Sequence, residues 1–363
     1  MKKKKMKTPL FRIVKNDKMK ISRTILIYIV IFVMMIIAVS GLVLAMHFSP
    51  LKVAKTIIWG AFGKEFLIRE TIKNAIPLVV ISIGLSLAFK MKFWNIGGEG
   101  QVLIGGIACT FISFIMDDSV PQGIVLVLMA ITSIVVAGIY GIIPALFKAK
   151  FNTNETILTL MLNYVAIQIV ILLQNSKSWQ DPTNSFPKIR MLSFSHRLPM
   201  VLGVHIGWIL TIGIVILYYI YMNRTKHGFE VKIVGDSENT AKYAGINKTK
   251  VMVRTMFLSA ALCGIAGYFQ VAGADGTLSE STSGGMGFTA IMIAWMSEMN
   301  PIGIVAMSIL IAVLNRGADN LQTVFLIPSS FADIMIGIML LFMLVGKFLT
   351  KYKVVIIKGG AEK

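Results

Sequence analysis

The residues best suited to chemistry lie in FWNIGGEGQVLIGG, Phe93 to Gly106, where Asn95, Glu99 and Gln101 stand among Gly97, Gly98, Gly100, Gly105 and Gly106. Long apolar stretches flank them on both sides. A carboxylate and two carboxamides between apolar spans are costly to desolvate, so they persist there for a polar task or against buried partners. Glycines lack a Cβ, so helices can approach closely or break and aim free N–H and C=O groups at a ligand. The stretch is therefore expected to line or shape a translocation path, with Asn95, Glu99 and Gln101 as its polar groups. The plainer alternative is a tight cytosolic turn in which Glu99 complements the dipole of the next helix and the glycines only pack. A phosphate loop is set aside, because no strand precedes the glycines and no Lys-Ser/Thr follows them.

Other polar residues sit inside apolar runs. Asn163 and Asn315 are candidates for the path, and Gln270 shares their ambiguity: each suits a hydroxylated solute or a neighbouring helix equally well. Gly284 and Gly285, in a second cluster with Gly273, Gly276 and Gly287, are further path glycines. Trp94 and Trp295 suit stacking on a flat base, although interfacial anchoring is the commoner role of tryptophan. Glu298 and Asp333 read as interface or packing charges.

The elements that position these residues are membrane helices. The chain of 363 residues is 56% hydrophobic and 15% charged, with a mean hydropathy of +0.76, which excludes a water-soluble domain. Its apolar runs are continuous and close to the roughly 20 residues a helix needs, without the ~10-residue alternation of a barrel. The fold class is therefore all-α and polytopic, with about ten transmembrane helices near 25–46, 72–90, 100–116, 123–147, 156–173, 205–222, 251–272, 286–298, 301–315 and 325–346. The last pair before the final span is short, so a re-entrant hairpin is the alternative for 286–315. Residues 25–46 exceed a signal-peptide core and read as a retained first helix.

Between the spans lie a basic cytosolic tail (1–24), an outer amphipathic segment (47–71), an outer loop (174–204), a cytosolic loop (223–250) and a second basic tail (347–363), the whole of 25–346 forming one transmembrane domain. Ten crossings put both termini in the cytosol. The segments assigned inside then hold 25 Lys or Arg and those outside 9, as the positive-inside rule requires. The net charge of +19 follows from these anchors, since the basic residues are not interleaved with aromatics as nucleic-acid patches are. Spans 2–5 and 7–10 form two four-helix blocks of opposite orientation, each with a glycine cluster after its first helix, the pattern of inverted repeats around a transport site.

The loop HGFEVKIVGDSENTAKYAGINKTK, His227–Lys250, is too structured in composition for a plain connector. Gly228 and Gly235 punctuate it, a short helix is expected to start within 236–240, and Gly245 should stop it. A short cytosolic helix with small and aromatic residues suits a groove on another protein, the alternative being a solvated loop.

The NIGGEGQ stretch and the GFE-x3-VG-x4-TAKYAGIN loop together resemble the permease subunits of ABC importers in the branched-chain amino acid, ribose and galactoside group, nearest to those of nucleoside and simple-sugar uptake. The resemblance covers about 70–350. It implies a bacterial cell-membrane protein that receives its solute from an extracytoplasmic binding lipoprotein and pairs with a second, related permease. It also implies that Gly228, Phe229, Glu230, Gly235, Ala241, Tyr243 and Gly245 belong to a coupling segment seated in a cytosolic ATPase. ATP and Mg would be used by that ATPase, with no cofactor bound by this chain. The lysine-rich tail and the 47–71 insertion are less typical of the group.

The residues themselves agree. No Walker motif is present, Cys109 and Cys263 lie inside spans without metal-ligand spacing, and neither clustered His nor a Ser-His-Asp arrangement is legible, so no catalytic or metal-binding residues are named. The expected function is alternating access for nucleosides such as guanosine, with a ribose- or galactose-type sugar as the alternative. An ion-coupled carrier is a weaker reading, because no acidic relay lies deep in the spans.

Overall fold

The computed structural model describes residues 11–15, 21–184, 186–326 and 329–356. The rest of the two basic tails, and the side chain of Asp333, lie outside the described residues. In order the elements are β1 (Phe11–Lys15), α1 (Ile21–Ala45), α2 (Pro50–Phe62), α3 (Glu65–Lys90), α4 (Gly98–Ile115), α5 (Gln122–Phe151), α6 (Glu155–Gln174), β2 (Met200–Val201), β3 (Val204–His205), α7 (Gly207–Arg224), α8 (Lys226–Asp236), α9 (Glu238–Tyr243), α10 (Lys248–Tyr268), α11 (Met286–Met296), α12 (Pro301–Phe325), α13 (Ser329–Lys351) and β4 (Tyr352–Ile356). A π-helical turn, Phe269–Asp275, extends α10. Among the described residues eight helices are long and apolar enough to cross a membrane, and α13 has 23 residues. This is the polytopic helical fold expected.

Two compact units divide the chain, residues 61–316 and residues 1–60 with 317–363. In the larger unit α10 packs against α3, α4 and α5. The contact is backbone to backbone: a Cβ on Gly264 would lie 2.4 Å from the Ser133 carbonyl oxygen, and one on Gly105 2.4 Å from the Gly264 Cα. Small residues let these helices meet where side-chain burial offers no advantage over lipid. Phe269, Leu103, Met129 and Leu278 fill the space that remains. In the smaller unit α1 packs on α13, Val43, Val53 and Leu321 form a core, and β1 pairs antiparallel with β4, Phe11 in register with Ile356.

Three expectations are corrected, and the loop 174–204 is filled in. Segment 47–71 is not one amphipathic piece: it divides into α2 and the first turns of α3, where Glu65 with Arg69 and Glu70 with Lys73 pair along the helix and make charge compatible with it. Loop 174–204 is a packed cap in which Trp179, Ile189, Leu192 and Leu198 are buried and β2 and β3 form a hairpin. Gly228 and Gly235 lie inside a helix, α8, and do not punctuate a loop. The run 286–298 does not span by itself, since α11 has 11 residues, about 16 Å at 1.5 Å per residue against a core of ~30 Å.

Unwound chain leads into α11. The Gly276 carbonyl accepts from Leu192 N in the cap, Leu278 packs beside Gly106, Gly287 beside Glu99, and Trp295 stacks on Trp94 near the start of α4. Residues 276–299 thus descend along α4, irregular in the first half and helical in the second. The second short run, by contrast, continues past Asn315 to Phe325 as a helix of 25 residues.

Candidate functional site

The polar groups of the glycine-rich stretch converge and are consumed by one another. Asn95 and Gln101 exchange side-chain amide hydrogen bonds at 3.2 Å in both directions. Asn95 Nδ2 also donates to Ser259 Oγ on α10 at 3.2 Å, and its Oδ1 accepts from Gly97 N at 3.0 Å. From α6, Thr159 and Asn163 face the same backbone, being one turn apart. Ile96 N donates to Thr159 Oγ1 at 3.2 Å, Gly100 N to Asn163 Oδ1 at 2.9 Å, and Asn163 Nδ2 returns a bond to Ile96 O at 2.9 Å. The backbone of the break between α3 and α4 is thereby paired inside the chain at Ile96, Gly97 and Gly100, as buried backbone in a bilayer should be. Gly97, Gly98 and Gly100 are buried in this knot, where a Cβ on Gly100 would lie 2.8 Å from the Asn163 Cα.

Glu99 does something different. Its Oε1 accepts from Gly285 N at 2.7 Å and its Oε2 from Gly287 N at 2.7 Å, so one carboxylate closes the N-terminus of α11. Gly284 and Gly285 have φ of +47° and +77°, the left-handed turn that points those N–H groups back at Glu99. The exposed N–H groups and positive dipole end of a half-helix attract an anion, and here the protein supplies its own. Glu99 is 6% exposed. Among the described residues no hydrogen bond joins Asn315, on α12, to this cluster. Thr159 and Ser259 were missed by the sequence reading; the signal for Thr159 was its i, i+4 spacing to Asn163.

The residues named between 228 and 245 fall into two sets. Gly228, Gly235 and Ala241 are buried: Gly228 lies on the Tyr221–Met222 backbone and Gly235 on the Lys90 carbonyl, each with no room for a Cβ. Glu230 pairs with Arg254 of α10 at 2.9 Å, and that guanidinium holds its carboxyl below the usual range. The other set points away. Phe229 is exposed, and Tyr243 at the end of α9 is 93% exposed. Ser237 caps α9 by accepting from Thr240 N, and Gly245 at φ +69° follows its end, so the short helix stands as expected, with Asp236 closing α8 instead of opening it.

At the other end the structure does assemble a Ser-His-Asp series, which spacing had hidden. Ser113 Oγ lies 2.9 Å from His196 Nδ1, and His196 Nε2 lies 3.6 Å from Asp118 Oδ1. Ser113 and His196 are sealed while Asp118 is exposed, so the hydroxyl is out of reach of a substrate and the series clasps the cap to α4. Ser195 and Ser193 donate to Asp118 and hold its carboxyl below the ordinary range. Among the described residues no group of three His, Cys, Asp or Glu could hold a metal.

Residues 67–344 match the family model described as branched-chain amino acid transport system / permease component. The guanosine ABC transporter permease protein NupP of Bacillus subtilis is 30% identical over 314 residues, covering 85% of this chain and 88% of that protein. The glucose ABC transporter permease protein TsgB13 of Haloferax volcanii is 28% identical over 339 residues, 90% of this chain and 88% of its own. The nucleoside ABC transporter permease protein NupB of Lactococcus lactis is 27% identical over 311 residues, 83% and 85% respectively. No solved structure matches significantly.

Proposed function

Because the chain belongs to the branched-chain amino acid transport system / permease component family, and is a multi-pass permease of the kind that serves nucleoside and sugar ABC importers, we propose that its own solute is a nucleoside, purine nucleosides first. One observation supports a neutral solute. The N-terminus of half-helix α11, the natural seat for a substrate carboxylate, is filled by Glu99. A hydroxylated neutral molecule needs no such charge, and a sugar fits that requirement too, as the glucose permease relative indicates.

In this reading the stretch 95–106 and Asn163 shape the path by fixing the broken backbone. ATP and Mg act on a separate ATPase that docks on Phe229 and Tyr243, a second permease completes the passage, and an extracytoplasmic binding protein delivers the solute. ATP-driven closure moves α8 and α9, and the buried contacts of Gly228 and Gly235 pass the motion to the bundle. The deciding experiment is uptake of labelled guanosine in cells with and without this chain, with excess ribose and an uncoupler in parallel. Loss of uptake that ribose does not mimic and that is independent of the proton gradient is expected. Unchanged guanosine uptake would move the assignment to a sugar, and abolition by the uncoupler at constant ATP would end the ATP-driven reading.

A further inference from the structure

A cavity of about 460 Å³ opens at the cytosolic ends of α3, α8 and α11, within the size range of small-molecule sites. Its walls carry two kinds of group. Phe89, Trp94 and Trp295 make an aromatic side, Trp94 and Trp295 stacked at 5.0 Å and 11°, with Trp94 43% exposed. Lys90, Lys92 and Lys232 make a cationic side.

Each of those lysines meets a neutral partner and keeps its charge unopposed by it. Lys92 Nζ reaches the Asp236 carbonyl at 3.4 Å, Lys232 Nζ donates to Asn223 Oδ1 at 3.0 Å, and Lys90 Nζ sits 5.6 Å from the Tyr218 ring centre. None of the three forms an ion pair among the described residues, and the carboxylate of Asp236 is the one acidic side chain on the wall. Three ammonium groups against one carboxylate leave a net positive wall. The shape asks for a ligand that is flat at one end and anionic at the other.

We propose that this cavity binds a phosphorylated nucleoside from the cytosol, its base against Trp94 and its phosphate among Lys90, Lys92 and Lys232. Stacking and charge-assisted hydrogen bonds are the interactions such walls offer. The imported solute, having no charge, would gain nothing from the cationic side, while its phosphorylated product would be held. Accumulated product would then bind beside α8 and slow further import. This last consequence rests on the nucleoside reading above; the binding does not.

The test is equilibrium binding of labelled guanosine 5′-monophosphate, guanosine and inorganic phosphate to the full chain in phosphatidylcholine nanodiscs. The monophosphate is expected to bind about tenfold or more tightly than guanosine or phosphate, and to weaken as salt rises to about 0.5 M. Lys90→Gln with Lys232→Gln should remove about tenfold of the monophosphate affinity and leave guanosine within about twofold. Should that pair fail to fold, Lys92→Gln, on an exposed residue, is expected to give a loss of about threefold. Equal affinity for guanosine and its monophosphate, or indifference to the lysine changes, would overturn the site. So would loss of monophosphate binding when phosphatidylglycerol replaces phosphatidylcholine, since a lipid headgroup would then be the occupant. Guanosine uptake by cells is measured separately: its absence overturns the nucleoside reading and leaves the binding result standing.

Discussion

Around Glu99 each carboxylate and amide meets a partner inside the chain, whereas Tyr243 and Phe229 at the elbow of α8 and α9 touch little of it. The residues that attract attention in a membrane sequence, buried polar ones, here hold unwound backbone in place. The exposed tyrosine and phenylalanine, by contrast, have no internal work. Inside a bilayer the cost of an unsatisfied group makes structure consume polarity, while in water an exposed aromatic has no such excuse.

Breaking the sealed side should cost most. Gly264→Leu forces a side chain into the Ser133 backbone, and loss of folded protein in membrane extracts is expected, beyond about 4 kcal/mol. Next, Glu99→Ala strands the N–H groups of Gly285 and Gly287 at about 1–3 kcal/mol each, seen as a lower thermal midpoint together with lost uptake. Glu99→Gln accepts from one N–H and turns its NH₂ on the other, so a smaller fall in the same two readouts is expected. If uptake vanished while the midpoint stayed, Glu99 would belong with Tyr243.

A pH effect sharpens the picture beside the 174–204 cap. Burial, with Lys73 adding, lowers the pKa of His205 to about 4, so the native state holds this ring neutral where an unfolded one near 6.5 would take a proton. The stabilisation is full above about pH 6.5 and is lost as pH falls toward about 4. The thermal midpoint should therefore drop by several degrees between about pH 7 and 4.5, and His205→Gln should flatten that slope. The smallest effect on stability is expected at Tyr243→Ala, within about 0.5 kcal/mol by thermal unfolding, while substrate-stimulated ATP hydrolysis is lost. A large stability loss there would erase the contrast between the two regions.

Helix positions were legible because continuous apolar runs state their own length, and α9 because Ser237 and Gly245 are cap residues. Asn95, Glu99, Gln101 and Asn163 were legible as a group because polar residues are scarce in such runs. Their roles were not, since the partner of Glu99 is 186 residues away and consists of backbone, which no side chain announces. The length of α12 was hidden by Arg316, Asp319 and Asn320, polar residues that interrupt hydropathy without interrupting a helix. The series Ser113, His196, Asp118 was hidden for the same reason of distance: its histidine arrives on the cap, 83 residues after the serine.

The pairing of β1 with β4 and of α1 with α13 carries a consequence in time. Helix α1 must wait for α13, roughly 280 residues later, which at ~5–20 residues per second of synthesis is about a quarter of a minute to a minute. Residues 61–316 form a contiguous unit that can close meanwhile. The α1 surface, rich in exposed Ile29, Phe32, Ile36 and Ile37, is suited to waiting in lipid alone. A nascent chain arrested before residue 329 should thus already protect Cys263 from thiol reagents, while a probe placed on Val43 remains reactive until release.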